Sequence, residues 1–411
     1  MRNIYSSIDI GTDTIKLVTL EAFHDKYNVL AATTIESAGV KQGLIYDANL
    51  ISGAIKKILK IHESKLGTKV DKVLAIVPSN DLRIDISSID NENNNSEKII
   101  TGDFIFSLLQ RSLKGKVSNN EEVVGIYPIE YVINKEKRVK NPLGLEGDSL
   151  AVKSVITTLP LKNVYSVVNI LENLGLEVID ITISGVGSYY ATKNKELDSK
   201  IVALVDIGAD KTVLSIFNKG IIIKNSILPV GGNVVDYDIA ATYKLSLDDA
   251  RYIRYHFAVC NRKYADNDEE YACKDEAGSR KIVNQYALAE LIETRLVVLL
   301  KNIKNEINRL TNREIGYIII TGGITSMLGF SAIVEDFFTR NASVLHLGMI
   351  GIRDNRYAAA FGSIKYFVEK LDLREKDYTM FSDEKVEEML QTRKKIGSGS
   401  VVSKIFEKIF D

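Results

Sequence analysis

The sequence predicts an α/β protein built from two related halves, and three observations carry that prediction. First, the triplet Asp-Ile-Gly occurs twice, as Asp9-Ile10-Gly11 and Asp206-Ile207-Gly208, each time between two apolar, β-branched runs. Such runs read as buried strands, so each triplet sits at the tip of a strand–turn–strand unit. Second, a further strand-like run, Ile318-Ile319-Ile320-Thr321, ends in Gly322-Gly323 and leads into a periodic segment over 331–338. Third, 411 residues are enough for two or more domains with sizeable cores. A hairpin repeated about two hundred residues on suggests two similar domains facing one cleft.

The chemistry of the repeated unit narrows its use. Glycine lets backbone amides approach an anion closely. An Asp at a strand end can hold a hydrated divalent cation beside phosphates. One such hairpin also fits an ordinary antiparallel turn; two of them, followed by a third glycine loop in this order, resemble the actin, Hsp70 and sugar-kinase superfamily. That resemblance implies an actin-like fold of two nucleotide-binding halves with ATP and Mg²⁺ between them.

Composition excludes several classes. The formal net charge is −1, so no global field draws nucleic acid, and no zinc, RRM or helix-turn-helix signature is present. The two cysteines, Cys260 and Cys273, come without a secretion signal, so reduced thiols are expected. The four histidines (His24, His62, His256 and His346) are scattered, against a metal cluster. No run reaches transmembrane length.

After the first hairpin, Gly39-Val40-Lys41-Gln42-Gly43-Leu44-Ile45-Tyr46-Asp47 leads into a helix with apolar Leu50, Ala54, Ile55, Ile58, Leu59 and Ile61, then a strand over 73–77 stopped by Pro78. The Gly-x-Lys-x-Gly-x-Ile-x-Asp pattern resembles the bacterial cell-division family FtsA. The next segment, 83–162, reads as a strand, an Asn-rich turn at 91–95, a helix over 101–114, a strand over 123–133 broken by Pro128, and a turn-dense loop at 140–147. Tyr127-Pro128-Ile129-Glu130-Tyr131 and Asn141-Pro142-Leu143-Gly144-Leu145-Glu146-Gly147 resemble the domain inserted in that family; an ordinary loop-rich α+β module also fits. A returning strand at 152–157 and a helix over 163–174 follow. Beyond the second hairpin come a helix over 234–243, another after Ser246, a polar stretch at 264–280 read as a hairpin or loop, and a long amphipathic helix over 282–310 with a possible break.

The resemblance implies four subdomains: 1A from 1–82, 163–197 and 348–381; an inserted 1C at 83–162; 2A from 198–229 and 311–347; and 2B at 230–310. In the site it implies, Asp9 and Asp206 hold Mg²⁺ through water. Gly11, Thr12, Gly208 and Ala209 cradle phosphates, and Lys16, seven residues after Asp9, points toward them; a strand-edge lysine is the plainer alternative. Gly231, Gly232, Arg254, Gly322 and Gly323 contact ribose and adenine. Three departures stand out. Arg251 occupies a position where relatives carry an acid, Ile324 replaces a third glycine, and Ile183-Ser184-Gly185-Val186-Gly187 supplies no Glu or Gln to orient an attacking water. Arg295 matches a basic position in the helix that receives the tail of the tubulin homologue FtsZ, although Val297 and Val298 replace the acids that often follow, and a solvated arginine is the alternative.

The C-terminal region reads as a helix over 357–368 with small residues Ala358, Ala359, Ala360 and Gly362, then a polar flexible linker over 382–400 ending in Gly397-Ser398-Gly399-Ser400. On a helical wheel, Val401, Val402, Ile405, Phe406, Ile409 and Phe410 of 401–411 fall on one half, opposite Ser403, Lys404, Glu407, Lys408 and Asp411. Such segregation fits a helix in a bilayer interface, or one docked on protein. The whole resemblance implies an ATP-binding protein that polymerises head to tail and tethers FtsZ to anionic lipid on the cytoplasmic face of the bacterial membrane. It would work among other divisome proteins at the septum, with weak ATPase activity or none. A PilM-like pilus-assembly platform and a sugar-kinase-type phosphotransferase are the alternatives; no catalytic Asp in a sugar pocket is found for the latter.

Overall fold

The computed structural model describes residues 3–23 and 26–398. Its plan is a duplication. The first five-stranded sheet runs, in spatial order, Glu177–Ile183, Lys72–Val77, Asn3–Ile10, Thr14–Phe23, Lys26–Glu36. The second runs Ala342–Val344, Tyr317–Thr321, Ile201–Ile207, Thr212–Asn218, Ile221–Leu228. In both, three consecutive strands form an antiparallel meander. In both, the first strand of that meander pairs in parallel with a strand from much later in the chain, which pairs in parallel with a fifth. Parallel strands buried on both faces call for continuous apolar runs, and Ile318, Ile319 and Ile320 supply one.

Between the sheets lie two helices, Ser184–Thr192 (αA) and Ala358–Leu373 (αB). Glycine sets their approach. A methyl group built on Gly362 would fall 1.8 Å from the Gly187 carbonyl oxygen, and one on Gly187 would fall 2.4 Å from that of Ala359. Above this crossing, Tyr189 of αA stacks on Phe217 of the second sheet with ring centroids 4.0 Å apart. The large core of the first half therefore runs continuously through αA and αB to one face of the second sheet. A separate core fills the space between that sheet's other face and the helices Asn233–Tyr243 (αC), Leu247–His256 (αD) and Gln285–Leu310 (αE).

A third, smaller core belongs to the inserted unit. There the sheet order is Arg83–Glu92, Ser149–Pro160, Glu121–Ile133, Lys137–Val139, with the helix Gly102–Arg111 capped by Thr101. Pro128 bends this sheet without ending the strand. Pairing jumps from Lys153↔Glu130 to Ser154↔Pro128, leaving Ile129 as the extra residue of a bulge, because proline cannot donate to the ladder.

Two expectations are corrected. The long helix begins at Gln285, not at 282: Arg280–Asn284 is a strand hairpinned with Glu270–Lys274, and Asn284 caps the helix by accepting from the Ala287 amide at 3.0 Å. More consequentially, the segment 382–400, expected as a flexible linker, is helical over Asp383–Ser398 (αF). Polarity alone suggested a linker. However, Val386 and Met389 are one helical turn apart and reach the first core, and acids at Asp383 and Glu384 suit a helix N-terminus. Lys385 pairs with Asp71, and Thr68 bonds to Glu388, fixing αF to the body. The proposed lipid-facing residues Val401, Val402, Ile405, Phe406, Ile409 and Phe410 lie outside the described residues. Among the described residues no helix is long and apolar enough to cross a membrane.

Candidate functional site

The two Asp-Ile-Gly hairpins face each other across one cleft, and they close their turns by the same hydrogen bond. The Gly11 amide donates to the Thr14 carbonyl at 3.0 Å, and the Gly208 amide to the Lys211 carbonyl at 2.9 Å. A Cβ on Gly208 would fall 2.9 Å from that carbonyl oxygen, and one on Gly11 would fall 3.0 Å from both Thr14 O and Lys16 Nζ. Asp9, Gly11, Thr12, Lys16, Asp206, Gly208, Ala209, Gly232, Arg254, Gly322 and Gly323 all line the cleft, which encloses about 1090 Å³ including its open mouth.

Strand register places the charges. Asp9 sits directly opposite Lys16 on the returning strand, and the Lys16 ammonium lies 3.0 Å from the Asp9 carboxylate. Asp206 ends the corresponding strand of the second half. Burial and the nearby Asp9 push its carboxyl up to about 6, against the opposing pull of Lys16, Lys211 and a Ser184 hydrogen bond. Lys211, on the second hairpin's turn, is pushed down to about 8 by burial, with Asp206 and Asp9 opposing.

Other expected residues have different partners. The cleft-facing amides of the αC N-terminus are already used: Gly232 N donates to Gly208 O at 2.8 Å and Asn233 N to Ala209 O at 2.9 Å. They brace the second hairpin from αC. Gly231 stands behind the same turn, where a Cβ would fall 2.4 Å from Gly208 O, so its lack of a side chain serves packing. The Thr12 hydroxyl accepts from the Gly43 amide at 3.0 Å, tying the first hairpin to the Gly39–Asp47 loop. Arg254 is held from two sides by Asp236, at 2.5 and 3.1 Å, and its guanidinium lies over the Tyr255 ring. Arg251 reaches across the cleft to Asp13 at 3.4 Å. Ile324 is buried against Gly232, filling the position of the absent glycine. Gly322 has φ +110 and sits so close to Ile207 O that a side chain there would strain the backbone; Gly323 has ordinary clearance, 3.4 Å to Arg356. Arg295, which is not among the described residues lining the cleft, forms a two-point pair with Asp238 on αC.

Sequence reasoning missed Lys211, Asp13, Tyr255, Asn355 and Arg356, all of which line the cleft. No repetition pointed to Lys211: Lys16 faces Asp9 across its hairpin, whereas Val213 faces Asp206 and Lys211 lies on the turn. Asn355 and Arg356 come from a loop with no repetition either. Among the described residues lining the cleft, none is Glu or Gln; Ser184 and Ser188 of αA stand at its base. Among the described residues there is no group of three or more metal-ligating side chains.

Comparison with solved structures places this architecture. A chain of a PilM–PilN type IV pilus biogenesis complex superposes with a TM-score of 0.56, at 14% identity, covering 90% of this chain and 99% of that one. MreB5 of Spiroplasma citri bound to ADP gives 0.53 at 12% identity, covering 91% and 99%. The duplicated sheets and paired hairpins thus define an actin-like fold. Within that class, the model for cell division protein FtsA matches residues 203–362, and the model for the SHS2 domain inserted in FtsA matches 83–158. Cell division protein FtsA of Bacillus subtilis strain 168 is 23% identical over 369 residues, covering 88% of this chain and 83% of that protein. The Staphylococcus epidermidis RP62A protein is 24% identical over 399 residues, covering 93% and 84%. The chain belongs to the FtsA family of cell-division proteins. Its likeness to the pilus protein is one of fold.

Proposed function

We propose that the chain binds ATP with Mg²⁺ in the cleft, polymerises head to tail, and tethers FtsZ to the cytoplasmic membrane at the division septum. The observation that carries the nucleotide reading is the mirrored turn: two glycine hairpins, each with an Asp at its strand end, converge on one void. The donor set suits a hydrated divalent cation. The nearby Asp9 disfavours the charged form of Asp206, and an added cation would relieve that repulsion. Asp9 and Asp206 would hold it, and its charge would neutralise phosphate oxygens. Among the described residues lining the cleft none is Glu or Gln to position water, so the general-base assistance worth roughly 10²–10⁴-fold is not expected from them, and ATP would serve chiefly as a conformational and polymerisation ligand. The FtsZ tail would meet αE and its surroundings; because Arg295 is engaged by Asp238, that pair would have to open for Arg295 to take part.

The test is calorimetry with ATP and Mg²⁺. Gly322→Asp is unsuitable, since φ +110 and the contact with Ile207 would disturb the fold itself. Gly323→Asp has room for its Cβ and introduces a carboxylate on the cleft wall, so it should lower ATP affinity at least tenfold with an unchanged melting temperature. Equal affinity in this variant and the parent would refute the assignment.

A further inference from the structure

The charges lining the cleft are not equally engaged. Lys16 is held by Asp9 at 3.0 Å, Arg254 by Asp236, and Arg356 by Asp354 at 2.6 Å. Lys211 differs: its ammonium donates to a neutral amide oxygen, Asn80 Oδ1, at 2.7 Å, on the opposite half of the molecule. Its ammonium also lies against the Gly43 α-carbon, where a Cβ would fall 2.3 Å away. Lys211 therefore sits in the seam between the halves, on the turn whose carbonyl closes the second glycine hairpin, within the electrostatic reach of Asp206 and Asp9.

Resting on the reading of the cleft as a nucleotide site, we infer that the Lys211 ammonium supplies part of the positive charge that a divalent metal otherwise brings to the phosphates, so that this chain holds nucleotide with little dependence on metal. A fixed ammonium in a partly dehydrated cleft interacts with phosphate oxygens far more strongly than one in bulk water. It needs no reorganisation, because Asn80 already holds it in place. The two hairpins place their lysines differently: Lys16 faces Asp9 across the first, whereas Val213 faces Asp206 across the second and Lys211 lies on its turn, so each hairpin brings a lysine to the cleft by its own route.

The experiment is ATP titration by calorimetry in excess Mg²⁺ and in EDTA, for the full chain, Lys211→Met and Asn80→Ala. The parent should weaken less than tenfold when Mg²⁺ is removed. Lys211→Met should stay within about tenfold of the parent in Mg²⁺, which also reports that it folds, yet weaken more than a hundredfold in EDTA. Asn80→Ala removes the hydrogen bond across the seam and keeps the ammonium, so its EDTA-to-Mg²⁺ ratio should match the parent. The same ratio for Lys211→Met and the parent overturns the inference. So does an Asn80→Ala variant that reproduces the Lys211→Met loss, since the effect would then come from closing the halves. A parent chain that binds no ATP even in Mg²⁺ removes the nucleotide reading itself, a result separate from either of these.

Discussion

At the scale of single residues, Asp206 is held in the cleft against its own ionisation. Its carboxyl is raised to about 6 by burial and by Asp9, so the folded state favours the protonated form. The penalty is absent below the ordinary Asp range near pH 4, grows as pH rises toward 6, and is fully present at pH 7.5. Asp206→Asn should therefore stabilise the ligand-free chain at pH 7.5 by on the order of 2 kcal/mol and change little at pH 4. The same variant should lose Mg²⁺-dependent ATP affinity, and the parent's affinity should fall as pH drops below 6. Melting curves at the two pH values check the first part; an Asp206→Asn chain less stable than the parent at pH 7.5 would contradict it. Asp206 was legible from sequence because its triplet repeats that of Asp9. Lys211 was not, because a lysine beside a turn looks like any solvated turn residue until the fold brings it against Asn80 and Gly43.

Among elements, the same contrast explains what could be read in advance. The strands of both meanders announce themselves by apolar runs, and the glycine turns by their spacing. The start of αE could not be placed, because Ile282 and Val283 fit the apolar pattern of the helix and of the preceding strand equally well. αF was hidden for a different reason: its few apolar residues gain meaning only from the docking surface around Thr68 and Asp71. The crossing of αA and αB offers a sharp test, since the small residues Ala358, Ala359, Ala360 and Gly362 read from sequence as suited to close packing, and Gly362 does lie against the Gly187 backbone. Gly362→Ala places a methyl group 1.8 Å from a backbone oxygen, so the helices must move apart. Overpacking of this kind costs about 1–3 kcal/mol, and here the upper end or beyond is expected, seen as a lower melting temperature. Gly53→Ala is the matched control: it lies in the helix Ala48–Leu66 with open space around it. There the change should stabilise by roughly 0.5–1 kcal/mol. Equal shifts in both variants would mean that the αA–αB contact is not tight.

At the scale of the whole molecule, the question is how a chain with no membrane-crossing helix among its described residues would hold a membrane. The six apolar residues on one half of the 401–411 wheel, Val401, Val402, Ile405, Phe406, Ile409 and Phe410, each gain at most roughly 1.5–3 kcal/mol on full burial. Partial insertion and the entropy of ordering a helix reduce that to about 1 kcal/mol apiece. The sum corresponds to a dissociation constant on the order of 10⁻⁵–10⁻⁴ M, a contact that a lone molecule keeps exchanging. The sequence-adjacent Arg393, Lys394 and Lys395 would add attraction to anionic lipid of about 1 kcal/mol per charge held close to the surface. Because αF is docked by Lys385 and Glu388, these basic positions follow from a helix fixed to the body instead of a free tether. A head-to-tail polymer would then align many weak anchors along one surface, and multivalency would convert exchange into retention. Deleting 401–411 should release the chain from anionic liposomes while leaving ATP affinity unchanged, and Phe406→Glu should do nearly the same by placing a charge in the apolar face. Lipid retention of the parent should also rise steeply with protein concentration once polymers form. Cosedimentation decides it: if the deleted chain pellets with liposomes as fully as the parent, the membrane contact lies elsewhere on the molecule.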